Sequence, residues 1–366
     1  MVCSQLPVFA QGIQFFEGTF EQAVLKAKKE NKGIFLDGYA VWCIPCKEMA
    51  QNVFTDKNVA DYINAHFVSL QMDMEKPEAK VLKDRFGVMA YPTLLMLNSS
   101  GYKLEQHIGG LDAPAFLIWA AKAKGRFDEY TPGQRFDQEP ENARAAVTYF
   151  QELLSNGQRK YSRFLFHELL IKSGFQALLD SDYWHLLTIA GRHDPEVKYV
   201  LGKREQFYKK FGKQVVERQL ATIFTNVSSL DSLMMPRPMR QMDKSAYHTY
   251  LEDIKANKLE MYQEITAVID FYVACKNYDY KAAQAQIDQY KNGISDWQRF
   301  RFASIANSLV YDSKMRYKFA ETLAHPIETA GSSIYLKESQ RSVSLLKLPF
   351  ADNPLHDYTE ILPLVF

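Results

Sequence analysis

Residues 36–47 read LDGYAVWCIPCK, and the fold predicted for the N-terminal part of the chain depends on them most. It continues the apolar run 33–37, which is typical of a buried strand, and leads into a segment with helical spacing. A helix that begins here places Cys43 at its N-terminus, where unpaired amides and the macrodipole favour a thiolate. Cys46 follows one turn later, at a Cα separation that suits a disulfide, and Pro45 fits the first helical turn. The sequence therefore predicts a pair that alternates between dithiol and disulfide.

The order of the two cysteines predicts their roles in exchange. The Cys43 thiolate attacks a substrate disulfide and forms a mixed disulfide, and Cys46 then attacks Cys43 and releases the reduced substrate. The same steps in reverse oxidise a dithiol. The direction depends on the reduction potential of the pair relative to its partners, which the spacing does not determine.

Three other uses of a Cys-x-x-Cys pair are open on the sequence alone. A structural zinc needs four ligands, but Cys3 and Cys275 are distant and unpaired, and no histidine pair has the spacing of zinc ligands. Covalent haem would need a histidine where Lys47 stands. The third alternative is a purely structural pair. We expect neither a metal nor a cofactor.

The pattern between residues 13 and 124 alternates between strand-like and helix-like periods and closes with a hairpin and a helix. Thr19 and Gln22 have the spacing of a capping box. Pro77 and Gly87 stand where a helix is expected to begin and end. This alternation predicts a three-layer α/β domain.

Three separate motifs, in the same order, resemble those of thioredoxins. Residues 36–47 resemble their active-site segment, residues 90–94 (AYPTL) resemble their cis-proline loop, and residues 107–110 (HIGG) resemble the glycine turn that follows. The resemblance implies a thioredoxin-like fold, a mixed sheet flanked by helices, with thiol–disulfide oxidoreductase activity on proteins. The chain is also similar to exported bacterial thioredoxin-like proteins with a helical C-terminal extension. That likeness implies a location outside the cytoplasm, in the bacterial periplasm.

The resemblance implies roles for individual residues. Asp37 aligns with the buried acid that helps to deprotonate the second cysteine, and burial should raise its carboxyl pKa. Pro92 is expected to be cis, with the backbone of Tyr91 hydrogen-bonded to an extended substrate strand. Trp42 corresponds to the tryptophan beside the attacking sulfur. The expected catalytic residues are Cys43, Cys46 and Asp37, and the expected substrate-binding residues are Trp42, Ile44, Pro45, Tyr91, Pro92 and Gly109.

Simpler interpretations of the same residues stay open: a solvated aspartate at a strand end, an ordinary trans turn proline and a tryptophan that only fills the core. The chain also departs from the thioredoxin pattern. Gly38 and Tyr39 replace the usual aromatic pairing, and Ile44 replaces glycine beside a sulfur that we expect to be exposed. Pro45 stands where oxidants of the family often carry histidine, which favours a reductant or exchange role. A disulfide isomerase is a further alternative.

The remaining organisation follows from composition. Residues 1–10 end in a small-residue pattern that suits signal peptidase, so we interpret them as a signal-peptide remnant, with a frayed strand as the alternative. Residues 11–126 form the predicted thioredoxin-like domain, and 127–141, rich in Gly, Pro, Asp and Gln, the predicted linker. Residues 142–366 have helical spacing throughout and predict an all-α, repeat-like domain of helical hairpins.

The helical part offers no chemistry of its own. Cys275 lies on an apolar helical stripe and is expected to be a buried, inert thiol. Stacked aromatic-rich hairpins suit protein binding, so the rival hypothesis is a helical binding module that uses the thioredoxin fold as a docking platform.

Lys and Arg number 44 against 43 acidic residues, which argues against nucleic acid as a partner. No apolar run reaches bilayer-spanning length. The expected partners are protein thiols or disulfides and a redox partner. The sequence identifies neither that redox partner nor the oligomeric state.

Overall fold

The computed structural model describes residues 12–139, 142–235, 241–290, 293–324 and 334–347. The chain divides into two compact units, Met1–Tyr161 and Ser162–Phe366. We call the first the N-terminal unit and the second the helical unit. The proposed signal-peptide remnant, residues 1–10, lies outside the described residues.

A four-stranded mixed sheet forms the centre of the N-terminal unit, in the order β2-β1-β3-β4. β1 pairs parallel with β2 and antiparallel with β3, which pairs antiparallel with β4. The predicted mixed sheet is therefore confirmed. The strands are β1 (Gly33–Tyr39), β2 (Phe67–Asp73), β3 (Thr93–Leu97) and β4 (Lys103–Ile108).

Helices cover both faces of this sheet. Ile34 and Leu36 of β1 pack in one core with residues of α1 and α4, whereas Phe35 packs in a second core with residues of α2, α3 and α5. Successive strand residues point to opposite faces, so an apolar run such as 33–37 is buried on both sides. The helices are α1 (Phe20–Glu30), α2 (Ile44–Asn52), α3 (Lys57–His66), α4 (Lys80–Phe86), α5 (Ala113–Lys124), α6 (Pro132–Gln138) and α7 (Ala143–Ser155).

The start of α1 follows the predicted cap. The Gln22 amide donates to the Thr19 hydroxyl oxygen at 3.3 Å, and the Thr19 amide donates to the Gln22 side chain at 2.9 Å. This reciprocal capping box satisfies two backbone donors that the first helical turn leaves unpaired.

The predicted linker, residues 127–141, contains the helix α6. A second capping box, Thr131 with Gln134, starts it, and Asn98 donates a side-chain hydrogen bond to Gln134 at 3.1 Å. The Gly and Pro content suggested a linker, but Pro132 occupies the first turn of the helix, where proline is favoured. The compact N-terminal unit continues through α7 to Tyr161, so the domain bounds at 126 and 142 stay predictions.

The helical unit contains, among its described residues, helices and no strand beyond one isolated bridge between Met234 and Met242. Buried aromatic side chains such as Trp184, Phe271 and Trp297 form its core. The all-α prediction is confirmed for these residues, and the repeat-like character stays a prediction. The first helix, α8 (Arg159–Ser173), begins in the last residues of the N-terminal unit. The others are α9 (Ser181–Leu186), α10 (Pro195–Gly202), α11 (Arg204–Phe211), α12 (Lys213–Phe224), α13 (Val227–Leu230), α14 (Lys244–Ala256), α15 (Tyr262–Lys276), α16 (Tyr280–Gln289), α17 (Asp296–Leu309), α18 (Ser313–Leu323) and α19 (Ile334–Leu345).

Cys275 lies near the end of α15 and is 1% exposed. Its burial raises the pKa of the thiol, as desolvation disfavours the thiolate. The prediction of a buried thiol is confirmed. Within the described ranges, every helix is too short or too polar to cross a membrane.

Candidate active site

Cys43 and Cys46 form a disulfide where β1 leads into α2. Their Cα atoms are 5.3 Å apart, as the spacing predicts. Cys43 is the N-cap of α2: its amide donates to the Ala40 carbonyl at 3.0 Å, and its Sγ accepts the Cys46 amide at 3.1 Å. A sulfur at this position receives a backbone N–H and the positive end of the helix dipole, and both favour the thiolate after reduction.

The two cysteines are covered in the disulfide form. Cys43 is 2% exposed and Cys46 is 5% exposed, and both pack against Ala40 and Tyr91. The expectation of an exposed sulfur is therefore wrong for this state, because the bonded partner and the neighbouring side chains enclose Cys43. The site nevertheless lies at the surface, since Ile44, between the cysteines, is 68% exposed.

Asp37 lies on β1, on the same face as Phe35, and is 1% exposed. Its Oδ2 accepts a hydrogen bond from Gln71 Nε2 at 2.9 Å, and no donor among the described residues reaches Oδ1. Burial raises the pKa of the carboxyl to about 6, opposed by the Gln71 hydrogen bond. This carboxyl changes protonation near neutral pH, and the alternative of a solvated strand-end aspartate is excluded.

The loop before β3 carries the expected cis peptide, between Tyr91 and Pro92. The Pro92 carbonyl accepts the amide of Gly109 at 2.8 Å, which ties this loop to the turn after β4. Gly109 has φ 100°, a left-handed conformation that favours glycine. The cis-proline loop and the glycine turn are therefore joined beside the disulfide, and the alternative of a trans proline is excluded.

Exposed apolar side chains flank these motifs. Trp42 is 61% exposed, which excludes a core-filling role. Val41, Met89 and Ile108 are 62%, 84% and 54% exposed, and sequence reasoning did not select them. Their signal is position, because Val41 and Ile108 lie within two of the quoted motifs and Met89 immediately precedes the third. Large exposed apolar side chains beside a reactive pair suit contact with a protein.

Two charged side chains contact the aromatic residues of the site, and the sequence did not indicate either. Glu75 Oε2 accepts the indole N–H of Trp42 at 2.8 Å. Lys83 Nζ donates to the Tyr91 hydroxyl oxygen at 2.7 Å. The rings of Trp42 and Tyr91 meet edge to face, with centroids 5.8 Å apart and an angle of 74° between their planes.

Gly38 allows two strands and a loop to approach closely. A Cβ atom at this position would lie 3.1 Å from the Met74 Cε and 3.1 Å from the Thr93 carbonyl oxygen. The departure from the thioredoxin pattern at Gly38 is therefore linked to the side chain at position 74. In the part of the chain that the structure covers, no group of three histidine, cysteine or acidic residues could hold a metal.

Comparison with known proteins agrees with this geometry. Residues 16–99 match a family model described as thioredoxin-like. The thiol:disulfide interchange protein DsbD of Actinobacillus pleuropneumoniae is 38% identical over 111 residues, which cover 28% of this chain and 19% of that protein. DsbD of Haemophilus influenzae is 31% identical over 120 residues, which cover 32% of this chain and 21% of that protein. The chain thus spans about a fifth of the length of these curated relatives.

Solved structures are also similar to part of this chain. A candidate disulphide-isomerase from Bacteroides thetaiotaomicron is 46% identical, and the match covers 32% of this chain and 96% of that one, with a TM-score of 0.30. The C-terminal domain of DsbD from Neisseria meningitidis, in its oxidised form, is 27% identical over 28% of this chain and 90% of that one, with a TM-score of 0.26.

Proposed function

We propose that the protein exchanges disulfides with other proteins outside the cytoplasm, which the thioredoxin-like match over residues 16–99 and the likeness to thiol:disulfide interchange proteins support. The observation that carries the proposal is the Cys43–Cys46 disulfide at the start of α2, packed against Tyr91 of the cis-proline loop. A buried carboxyl, Asp37, lies on β1, the strand that leads into this helix. Neither zinc nor haem enters the proposal.

The first step belongs to Cys43 in the reduced protein. The N-terminal amides of α2 stabilise its thiolate, as the hydrogen bond from the Cys46 amide to Sγ indicates. The thiolate attacks one sulfur of the substrate disulfide, a mixed disulfide forms, and the other substrate sulfur leaves as a thiolate that takes a proton from water.

The second step belongs to Cys46 and Asp37. The Asp37 carboxylate accepts the Cys46 proton, and the new thiolate attacks the sulfur of Cys43. The substrate sulfur leaves as a thiolate and is protonated, so the substrate gains two electrons and the enzyme becomes a disulfide. A raised pKa of about 6 makes this carboxylate a better proton acceptor than an ordinary aspartate. A dithiol partner protein then reduces the enzyme disulfide.

The substrate segment contacts the surface around the cysteines. We assign the backbone of Tyr91 to pairing with an extended substrate strand, and the cis Pro92 to shaping the loop that presents it. Trp42 and Ile44 are assigned to side-chain contact, since both are more than half exposed. Pro45, between the cysteines, and Gly109, whose amide donates to the Pro92 carbonyl, belong to the same proposed surface. Because Trp42 and Ile44 are exposed, a protein substrate can bind next to the disulfide although the cysteines themselves are buried.

The test uses the full chain and insulin as the substrate. The wild-type protein should reduce insulin disulfides with dithiothreitol as the electron source, and Cys43→Ser should abolish the reaction. Cys275→Ser is the matched control, because that thiol is buried in the helical unit; it should retain the wild-type rate. Full activity of Cys43→Ser would end the proposal.

The direction and the cellular setting need their own measurements. We propose a reductant or exchange role, which predicts a potential near or below about −270 mV, whereas an isomerase or oxidant lies at about −180 to −120 mV. A potential in the second range would favour the isomerase alternative. Fractionation of the cells that make the protein should place it outside the inner membrane, and recovery with the cytoplasm would refute that part.

A second candidate function is a helical binding module. Phe164, Tyr278, Tyr311 and Tyr317 are each more than half exposed on the helical unit, and aromatic side chains are enriched at protein interfaces. Cys46→Ser separates the two functions because it cannot complete exchange. Partners held through discrete mixed disulfides would support the enzyme, and the same partners held by a Cys43→Ser, Cys46→Ser double variant would support the module.

A further inference from the structure

We propose that Glu75 and Lys83 are positioning residues that hold Trp42 and Tyr91 as one preformed wall for protein substrates, an inference that rests on the proposed function. Among the described residues, the hydrogen bonds of both charged side chains go to aromatic residues and not to the cysteines. Each acts through the aromatic side chain that it hydrogen-bonds.

Glu75 itself is held in place by the backbone around it. It follows β2, and its amide donates to Asp73 Oδ1 at 3.1 Å. The preceding residue, Met74, donates its amide to the Tyr39 carbonyl at 2.9 Å, which ties this turn to the end of β1. The carboxylate that receives the Trp42 indole N–H therefore has a fixed origin, although the Glu75 side chain is solvent-accessible.

Lys83 anchors the other side of the wall from α4. Its Nζ lies 2.7 Å from the Tyr91 hydroxyl and 5.2 Å from the centre of the Tyr91 ring. Tyr91 also packs against Ala40 and the two cysteines, so its ring orientation is fixed relative to the disulfide. Trp42 then meets this ring edge to face, an arrangement favoured by the charge distribution of aromatic rings.

The consequence concerns binding rather than sulfur chemistry. An unanchored Trp42, 61% exposed, would lose side-chain freedom each time a protein substrate docks. Two anchors from different segments remove that cost in advance. A small disulfide that reaches the sulfur without covering the indole gains nothing from them. The anchors should therefore lower KM for proteins and leave the intrinsic reactivity of Cys43 unchanged.

The experiment compares insulin with 2-hydroxyethyl disulfide as substrates of the full chain. Glu75→Ala should raise KM for insulin by about two- to tenfold, the factor that corresponds to ordering one side chain, with little change in kcat. Its rate with 2-hydroxyethyl disulfide and its reduction potential should equal those of the wild type. Glu75→Gln keeps a side-chain oxygen that accepts the indole N–H, so it should restore the wild-type KM.

Matched variants separate this role from a general effect of charge. Glu78→Ala removes a nearby exposed carboxylate and should leave KM for insulin unchanged. Lys83→Met should raise the insulin KM by a similar factor through Tyr91. In a Trp42→Ala background, Glu75→Ala should have no further effect, because the side chain through which it acts is gone.

An unchanged insulin KM in Glu75→Ala would overturn the inference. So would an equal loss with both substrates, because that pattern indicates a change at the sulfur or in the fold. The proposed function fails in a different way: the wild-type protein would then reduce neither insulin nor 2-hydroxyethyl disulfide.

Discussion

The N-terminal unit and the helical unit both bury cysteine, but in different surroundings. Cys43 is 2% exposed and caps α2 beside side chains that are more than half exposed. Cys275 is 1% exposed and lies on the buried, apolar side of α15. Exposure alone therefore does not distinguish a reactive thiol from an inert one. The position of a sulfur relative to a helix end, and the surface around it, makes the difference.

The largest expected effect tests this contrast directly. In the reduced, folded protein, iodoacetamide should modify Cys43 at least about a thousandfold faster than Cys275 near pH 7, because a helix N-terminus lowers a thiol pKa and burial raises it. Mass spectrometry of digests taken over time measures both rates. Comparable rates in the folded state would remove the distinction.

The helical unit should respond most strongly to the loss of core aromatic side chains. Trp184 is 1% exposed and stacks on Phe207 and Phe211, with ring centroids 5.4 and 4.8 Å away. Trp184→Ala should destabilise this unit by about 3–5 kcal/mol. Hydrogen exchange of peptides from α9 and α11 measures the change. The rate of insulin reduction per folded molecule should stay unchanged.

Val215→Ala is the control for this substitution, since that side chain is 49% exposed on α12. It should change the stability by less than about 0.5 kcal/mol. If folded Trp184→Ala reduced insulin more slowly than the wild type, the packing of the helical unit would influence the chemistry of the N-terminal unit. The contrast drawn between the two units would then fail.

Asp37→Asn should stabilise the N-terminal unit by about 2–3 kcal/mol at pH 7 and slow the release of mixed disulfides. Its carboxyl has a pKa of about 6 in the folded protein against an ordinary value of 3.8. The buried charge opposes folding, and the neutral amide removes it. Hydrogen exchange of β1 peptides measures the stability. Non-reducing gels of reactions stopped at intervals measure how long the mixed disulfides with substrate persist.

The free energy of unfolding should depend on pH through the Asp37 carboxyl, with a sign that follows from its raised pKa. The folded state retains this proton between pH 3.8 and about 6, where the unfolded state has lost it, so the stabilising contribution of the protonated form is lost as pH rises through this window. The difference between wild type and Asp37→Asn should therefore vanish below about pH 4 and be complete above about pH 7. A difference that does not change with pH would contradict the assignment.

The smallest effect should be equal in the two units. Thr19 and Ser295 form capping boxes at the starts of α1 and α17. Replacing either by alanine should cost about 1 kcal/mol, because one N-terminal amide loses its acceptor. Local hydrogen exchange tests both. Unequal costs would indicate that the tertiary surroundings, rather than the cap, set the stability of one helix.

The sequence predicted the strand–helix junction at Cys43 because its determinants are local. A buried strand, a cysteine pair and a proline follow one another within a few residues, and the cis proline before β3 has an equally compact signature. The helix α6 was missed for a related reason. Its Pro, Gly and Gln residues suggested a linker, although Thr131 and Gln134 repeat the capping spacing of Thr19 and Gln22.

Contacts between distant residues were not predictable. Glu75 lies 33 residues from Trp42, and only the path of β2 beside β1 brings them together. In the helical unit, Arg316 is fully buried, and its guanidinium donates to the Leu345 carbonyl at 3.0 Å and to Asn307 Oδ1 at 3.1 Å. Helical periodicity assigns such an arginine to one face of its helix. It does not show that oxygen atoms from distant residues will accept hydrogen bonds from the guanidinium.

The close approach at Gly38 ties the choice of residue there to the side chain at position 74. Any larger residue there meets the Met74 methyl group and the Thr93 carbonyl, both 3.1 Å from where its Cβ would be. A side chain at position 38 therefore requires the flexible Met74 side chain and the Thr93 carbonyl to give way by a few tenths of an ångström. The active-site segment of a thioredoxin, transplanted into this chain, should accordingly be better tolerated when position 74 carries a smaller side chain.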